Sequence, residues 1–263
     1  MRLILTRPQR EALEWVAAFT NAGMQAVALS LIEVGGPVDP SAVGQAWETL
    51  PSFDAVMFVS GNAVDHFFAL KPSLSPVFTA SSAIKTRAYV TGPGSRSALL
   101  RHGVEESLID APDANAGQFD SEALWAVVGK QVQAGMRVLI VRGVGEDGLS
   151  AAGIGRDWFA RQVTLQGAEV QFVVAYQRRC PVLSAADLAL ARTAASDGSV
   201  WVFSSSEAIA NLQGLLPNQS WALAKAVATH PRIAQAARHA GFGVVCESRP
   251  VLAAVVASIE SMQ

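Results

Sequence analysis

The sequence predicts an α/β protein built on parallel β-sheets. Short apolar segments alternate with amphipathic segments of helical length, and each apolar segment ends in a loop of small, polar, Gly or Pro residues that leads into a helix. The 263 residues, 51% of them hydrophobic, can form a sizeable core in one large domain or two smaller ones. Because only 16% of the residues are charged, against about 25% in an average globular protein, the composition excludes intrinsic disorder.

The first strand is predicted at Leu3–Leu5, and a helix follows it over Gln9–Ala22. The spacing of apolar residues in this helix predicts that Leu13, Val16 and Ala17 form its buried face. Further strands are predicted at Ala55–Val59, Arg87–Thr91, Val138–Val141, Val200–Phe203 and Ala222–Ala228.

Three strand–loop–helix units occur twice along the chain. Arg2–Arg7 resembles Arg137–Arg142 (type a), Phe58–Val64 resembles Phe203–Ile209 (type b), and Ala88–Pro93 resembles Ala226–Pro231 (type c). The order a, b, c, a, b, c permits two consecutive domains, and it equally permits a domain inserted after the first type a unit. The turn signal at Gly35–Pro37 and the β-rich segment Val170–Tyr176 favour an insertion with a two-stranded connector, but the residues alone leave both arrangements open.

Several classes of protein are excluded by composition and pattern. The closest candidate for a membrane-spanning helix, Val251–Ile259, includes Ser258 and is far shorter than the ~18 apolar residues required, and the first residues lack the long apolar stretch of a signal peptide. We therefore expect a cytoplasmic protein that does not contact membranes. A net charge of −2 without a basic stripe argues against a nucleic-acid partner.

Neither the cysteines nor the histidines have the spacing of a metal site. Cys180 and Cys246 are predicted to be reduced structural thiols, and no metal is expected. His230, which precedes a predicted helix start, is the histidine expected to face a ligand, and the others are interpreted as structural. These others are His66, His102 and His239.

The loops after the predicted strands are suited to binding anions. Ser60–Asn62, Gly92–Ser95 and Ser204–Ser206 combine helix-capping side chains or little side-chain bulk with free backbone N–H groups at helix N-termini. Any single loop is better explained as an ordinary cap or turn. Together, loops from both halves of the chain predict a broad anion-binding cleft at the carboxyl ends of the strands. The excess of arginine over lysine reflects either a GC-rich genome or a site for planar anions.

No nucleotide-binding or nucleophile motif accompanies these loops. The segment Arg142–Gly148 superficially resembles a GxGxxG motif, but its acidic pair lies where a phosphate would approach, and we interpret it as a hinge or flexible loop. The GxxxxGK[ST] and GxSxG motifs are absent. A nucleotide-dependent enzyme is therefore disfavoured.

Tyr176 is one of only two tyrosines in the chain. It either packs the connector or acts as a phenol that donates a hydrogen bond or a proton, with Arg178 and Arg179 nearby to attract an anion. Arg7 and Arg142 follow the two matched strands and are expected to project into the cleft.

The ordered set of these motifs resembles the uroporphyrinogen-III synthase family over nearly the whole chain. The segments that carry the resemblance are Leu5–Pro8, Phe58–Val64, Val90–Ser95, Val138–Gly143, Gly167–Val170, Ala175–Arg178, Phe203–Ala208, Thr229–Ala234 and Gly241-Phe242. The resemblance implies two similar three-layer parallel-sheet domains of the flavodoxin/Rossmann-like type, joined by a two-stranded β connector. The implied first domain is discontinuous, at residues 1–34 plus 179–263. The second is inserted at residues 37–172, with connector strands near residues 30–37 and 171–179.

The resemblance also implies the reaction. The substrate is the linear tetrapyrrole hydroxymethylbilane, and a hydro-lyase of tetrapyrrole biosynthesis removes water from it, forms a spiro-pyrrolenine intermediate and recloses the ring with ring D inverted. No cofactor is implied. We expect a monomer whose further partner is the upstream hydroxymethylbilane synthase. The alternative from another class is a two-domain small-molecule binding module without catalysis.

The site residues combine this resemblance with the loops described above. The predicted catalytic residue is Tyr176, the proton donor that the resemblance implies. The predicted substrate-binding residues are Arg7, Ser60, Asn62, Thr91, Gly92, Ser95, Arg142, Ser204, Ser205, Ser206, His230 and Arg232. Many members of the family have Gly-Pro-Thr-Thr where this chain has His230–Ile233, so we expect His230 or Arg232 to replace a hydroxyl contact of that loop.

Overall fold

A computed structural model describes residues 1–73, 86–113, 116, 118–145 and 154–262, with the backbone alone at residues 154–157. The strands are β1 (Arg2–Leu5), β2 (Gln25–Ala28), β3 (Glu33–Gly35), β4 (Ala55–Phe58), β5 (Arg87–Val90), β6 (Ile109–Asp110), β7 (Arg137–Val144), β8 (Glu169–Arg179), β9 (Val200–Phe203), β10 (Lys225–Ala228) and β11 (Val244–Glu247). The α-helices are α1 (Gln9–Asn21), α2 (Pro40–Thr49), α3 (Gly61–Ala69), α4 (Pro93–Arg101), α5 (Ser121–Val128), α6 (Ile154–Leu165), α7 (Ala185–Ala194), α8 (Ser206–Leu215), α9 (Pro231–His239) and α10 (Leu252–Glu260).

The chain divides into two compact units, each with its own sheet. Unit 1 comprises Met1–Glu33 and Arg179–Gln263, and unit 2 comprises Val34–Arg178. The chain passes from unit 1 to unit 2 within β3 and returns within β8, and these two strands are neighbours in the six-stranded sheet. The predicted α/β class with parallel sheets is confirmed.

Unit 1 contains a five-stranded parallel sheet in the order β2-β1-β9-β10-β11. Because successive side chains of a strand point to opposite faces, Leu3 and Val202 pack on one face against α1 and α10. On the other face Trp201 contacts Trp221 and Phe242 in an aromatic cluster. Both faces are therefore buried, as expected for a parallel sheet.

Unit 2 contains a six-stranded sheet in the order β3-β8-β7-β4-β5-β6. The β8-β7-β4-β5-β6 pairs are all parallel. Phe58 packs with Trp47 and Phe67 on the face covered by α2, α3 and α4. Met57 and Ile140 pack on the opposite face, which is covered by α5 and α6.

The two sheets place the repeated units at the same positions. Types a, b and c are β1, β9 and β10 in unit 1, and β7, β4 and β5 in unit 2, so both sheets contain the spatial order a-b-c. One strand lies beyond type c in each sheet, whereas type a is followed outward by one strand in unit 1 (β2) and by two in unit 2 (β8 and β3). Along the chain, type a is the first repeated strand of unit 1, whereas type b is the first repeated strand of unit 2. The two units therefore share the spatial order of these three strands but differ in their order along the chain.

The structure corrects two predictions of local structure. The buried face of α1 is formed by Ala12 and Phe19, with Val16 packed against the same cluster. Leu13 and Ala17, which were predicted to be buried, are exposed, Leu13 by 52%. The predicted strand at Ala222–Ala228 begins only at Lys225, because residues 222–224 form a turn. Gly243 approaches this turn so closely that a Cβ there would lie 2.0 Å from a backbone oxygen.

None of the helices in the described residues has the length and apolarity that a membrane crossing requires.

The observed buried face of α1 predicts that truncating two of its apolar residues has very different effects on the stability of the protein. Phe19 is fully buried, so Phe19→Ala should lower the free energy of unfolding by about 3–5 kcal/mol. Leu13→Ala should change it by less than about 0.5 kcal/mol, because the Leu13 side chain is mostly in water. Urea unfolding of both variants measures the difference, and comparable losses would contradict the observed face.

Candidate functional site

In unit 2 the order in which the chain adds strands to the sheet reverses between the neighbouring strands β4 and β7. From β4 the chain continues to β5 and β6 on one side, and it then builds β7 and β8 on the other side. In open parallel sheets, ligands bind at the carboxyl ends of the strands at such a reversal. Ser60, which follows β4, and Gly143, near the end of β7, lie at this edge.

Ser60 connects the start of α3 to Tyr176. Its hydroxyl accepts a hydrogen bond of 3.1 Å from the Ala63 N–H and thereby caps the helix, as predicted for this loop. The same Oγ lies 3.0 Å from the phenolic oxygen of Tyr176. Tyr176 is only 2% exposed, whereas Ser60 is half-buried, so the ring is largely removed from bulk water.

Tyr176 belongs to β8 and reaches Ser60 by crossing β7 at Gly143. A Cβ on Gly143 would lie 2.3 Å from Cζ of the Tyr176 ring, so the ring occupies the space of a side chain. Neighbouring strands are about 4.8 Å apart, and β7 separates β8 from β4. Only a glycine at this position lets the phenol reach Ser60.

A bulge in β8 directs Tyr176 towards this face of the sheet. Arg142 pairs with Val174 and Gly143 pairs with Tyr176, so Ala175 is an extra residue in β8. In a regular strand Ala175 and Tyr176 would point to opposite faces. Here both pack in the cluster beneath α2, α3 and α4.

Arg142 lies on the opposite face of the sheet from Tyr176. Alternation along β7 places Arg142 with Ile140, on the face covered by α5 and α6, and Gly143 on the other face. The Cζ atom of Arg142 is 4.3 Å from the centroid of the Phe172 ring. The structure therefore does not bring Arg142 into contact with Tyr176.

The interpretation of Arg142–Gly148 as a hinge is wrong for its first three residues. Arg142, Gly143 and Val144 belong to β7, where Gly143 is needed for the close approach of Tyr176. Residues 146–148 lie outside the described residues.

His66 is a neighbour of Tyr176 that the sequence did not reveal. Its ring stacks on the Tyr176 ring with the centroids 5.8 Å apart and an angle of 25° between the ring planes. The interpretation of His66 as purely structural rested on its position inside a helix. Nothing in the sequence indicated that the last turn of α3 faces β8.

The N-termini of α3 and α4 lie side by side. A Cβ on Gly61 would be 3.7 Å from the Gly94 carbonyl oxygen. The other predicted residues of these loops differ in exposure: Asn62, Thr91 and Gly92 are half-buried, and Ser95 is 7% exposed. Gly92 is the N-cap of α4 and offers backbone rather than side-chain groups.

The two tyrosines occupy different faces of the unit 2 sheet. Tyr89 lies in the cluster beneath α5 and α6, where burial raises its pKa to about 12. The Asp110 carboxylate also raises this pKa, and the Arg87 guanidinium group lowers it. Tyr176 alone of the two has a hydroxyl contact to a predicted site residue.

Arg7 occupies the equivalent carboxyl edge in unit 1, directly after β1. Its Nη1 donates to Glu11 over 3.4 Å, and its Cζ lies 4.1 Å from the centroid of the Trp15 ring. Burial lowers the pKa of Arg7, and the neighbouring Glu11 carboxylate opposes this effect. An arginine nevertheless stays protonated in proteins.

Two further loops of unit 1 contain predicted residues. Ser205 caps α8 by accepting from the Glu207 N–H at 3.1 Å, with Ser204 half-buried and Ser206 exposed. In the other loop Nδ1 of His230 accepts from the Arg232 N–H at 3.1 Å. His230 therefore caps α9, and the Arg232 side chain is exposed.

No cluster of three or more His, Cys, Asp or Glu side chains suited to a metal ion occurs in the part of the chain that the structure describes. Of the two cysteines, Cys180 is exposed and Cys246 is half-buried.

The model of one protein family, described as uroporphyrinogen-III synthase HemD, matches residues 14–257. The chain belongs to the uroporphyrinogen-III synthase family. The predicted membership and the predicted synthase function are confirmed by this match, which lends no support to a binding module without catalysis.

Solved structures with the same fold include members of this family. The uroporphyrinogen-III synthetase of Helicobacter pylori 26695 is 16% identical, with all of both chains covered and a TM-score of 0.58. A mutant uroporphyrinogen III synthase of Thermus thermophilus is 14% identical, with 99% of this chain and 98% of that chain covered and a TM-score of 0.53. At these identities the likeness shows the fold.

The crossing of Tyr176 over Gly143 predicts that a methyl group at this position is costly. Gly143→Ala should lower the free energy of unfolding by about 1–3 kcal/mol, because the phenol must leave its place. Gly44→Ala is the matched control, since Gly44 lies in α2 with open space where a Cβ would lie, and it should stabilise by up to about 1 kcal/mol. Denaturant unfolding measures both, and a stabilising Gly143→Ala would contradict the crossing.

Proposed function

We propose that this chain, as a hydro-lyase, converts hydroxymethylbilane into uroporphyrinogen III. Water is lost from the terminal hydroxymethyl group to give an electrophilic azafulvene on ring A. Ring D attacks through its substituted carbon, and the spiro-pyrrolenine fragments and recloses with ring D inverted. The family match over residues 14–257 carries this proposal.

Positioning is the principal task of such an enzyme. The free substrate cyclises spontaneously without inversion, so the protein must hold the two ends in the geometry that leads to the inverted product. Eight carboxylates on the substrate provide the contacts for this. Helix N-termini, hydroxyl groups and arginine forks are the groups that bind carboxylates well.

Tyr176 is the proposed proton donor to the departing hydroxyl group. The pyrrole nitrogen assists the departure, so a phenol is a sufficient acid. Ser60 Oγ already accepts from the Ala63 N–H, and its own O–H can donate to the phenolic oxygen 3.0 Å away. In that arrangement the Tyr176 O–H is left to donate to the substrate, and Ser60 stabilises the negative charge that develops on the phenol.

We propose that the substrate is bound by residues at the carboxyl edges of the two sheets, which lie in or beside the loops after the strands or, for Arg142, in β7 itself. In unit 2 these are Ser60, Asn62, Thr91, Gly92, Ser95 and Arg142. In unit 1 they are Arg7, Ser204, Ser205, Ser206, His230 and Arg232. The helix caps at Ser60, Ser205 and His230 support this choice, because they mark helix N-termini.

We further propose that the two units are the domains predicted from the sequence, at residues 1–34 plus 179–263 and at residues 37–172. The chain is proposed to act in the cytoplasm as a monomer, without a cofactor, on the product of hydroxymethylbilane synthase.

The product isomer tests the reaction. Hydroxymethylbilane, freshly generated, should yield predominantly the type III isomer in the presence of the protein, whereas the control without protein should yield type I. Chromatographic separation of the oxidised products measures the ratio. A product no richer in type III than the control would refute the proposal.

Tyr176 and Ser60 should affect turnover more than binding. Tyr176→Phe should lower kcat by about 10²-fold or more with little change in KM, since general acid catalysis contributes about 10²–10⁴-fold. Ser60→Ala should lower kcat less and cost about 1 kcal/mol of stability through the lost cap. Ser184→Ala is the control, because Ser184 caps α7 by the same type of bond and should lose stability without losing kcat. An unchanged kcat in Tyr176→Phe would remove Tyr176 from the mechanism.

A further inference from the structure

Each type a strand has an arginine at its amino end and a second arginine five residues later, near its carboxyl end. At the amino ends of β1 and β7, Arg2 and Arg137 pair with acidic side chains. Arg2 Nη2 is 2.6 Å from Asp197, and Arg137 Nε is 3.8 Å from Glu169. These amino-end arginines are thus neutralised within the protein.

The arginines at the carboxyl ends of the same strands lie on aromatic rings. Arg7 covers the Trp15 ring at 4.1 Å, and Arg142 covers the Phe172 ring at 4.3 Å. In both residues the Nε atom is buried without a hydrogen-bond partner. The two units therefore repeat one arrangement at equivalent positions, although Trp15 belongs to a helix and Phe172 to a strand.

An aromatic ring holds a guanidinium group by one face and leaves its Nη edge free to bind in the plane. This edge matches a carboxylate, which it binds through two parallel N–H···O bonds. Since ligands of parallel sheets bind at the carboxyl ends of strands, the two arginines lie at the edge where a carboxylate is expected. The amino-end arginines do not.

We propose that Arg7 and Arg142 are equivalent carboxylate-binding residues, one in each unit, and that each is oriented by its aromatic ring. The inference rests on the proposed function, which supplies an octacarboxylate substrate. Because Arg142 faces away from Tyr176, its contribution is to affinity rather than to proton transfer.

The two sites differ in how strongly the protein competes for the arginine. Nη1 of Arg7 is shared with Glu11, whose carboxylate occupies part of the fork. Arg142 has no acidic partner among residues 1–73, 86–113, 118–145 and 158–262. Arg142 is accordingly the stronger subsite, and removing the Glu11 charge strengthens the Arg7 subsite.

The test measures KM and kcat for freshly generated hydroxymethylbilane. Arg142→Gln should raise KM about tenfold with kcat unchanged within about twofold, as for one lost charge-assisted pair. Arg137→Gln is the matched control, because it removes the same charge and a ring contact from the other end of the same strand, and its KM should not change. Equal KM values for Arg142→Gln and wild type, or equal rises in both variants, would overturn the proposal.

Substitution of Phe172 provides a second test that should leave the fold intact, since this residue is 40% exposed. Phe172→Leu should raise KM severalfold with an unchanged thermal unfolding midpoint, and an unchanged KM would contradict the orienting role of the ring. In unit 1, Arg7→Gln should raise KM and Glu11→Gln should lower it. A purely structural pair would not give opposite signs, so a rise in KM for Glu11→Gln would refute this subsite.

Failure of the inference is separable from failure of the proposed function. If the wild-type protein forms the type III isomer and the arginine variants keep their KM, only the carboxylate subsites are refuted. If the wild type forms no excess of type III, the function itself is refuted.

Discussion

The contact between Tyr176 and Ser60 depends on the space left by a single missing side chain. The phenol starts on β8 and passes over β7, where Gly143 leaves room for the ring, before it meets the serine that begins α3. A bulge at Ala175 points the ring to this face. The strand order, the glycine and the bulge must therefore coincide for the hydroxyl pair to form, and the proposed proton donor exists only as a result of all three.

The repeated strand–loop–helix units explain why the protein has two carboxyl edges with similar loops, one in each sheet. Each unit buries both faces of a parallel sheet, so loops with free polar groups are confined to the sheet ends. Types a, b and c recur in the same spatial order in both units, and each therefore presents a capping serine after its type b strand. The two units differ in what this serine contacts. Ser60 of unit 2 caps α3 and also contacts the phenol of Tyr176, whereas the contact described for Ser205 of unit 1 is the cap of α8.

The strands and helices were largely predictable because their signals are local. The strand at Val200–Phe203 is found as predicted, and the capping roles of Ser60 and Ser205 follow from residues within one helical turn. The buried face of α1 was mispredicted, because apolar spacing does not decide which of two candidate stripes meets the sheet. Phe19 rather than Leu13 is buried there. The turn at residues 222–224 escaped prediction because no Gly or Pro marks it in the sequence.

The sequence by itself determined the α/β class, the repeated units and, through the ordered set of motifs, the uroporphyrinogen-III synthase family. These properties follow from residue patterns that are contiguous along the chain. Only the tertiary structure decided which predicted site residues meet. It joined Ser60 to Tyr176, added His66, and separated Arg142 from the phenol by the thickness of the sheet. The physical reason is that strand neighbours, a bulge and a glycine crossing arise from pairings between distant segments, which no local pattern records.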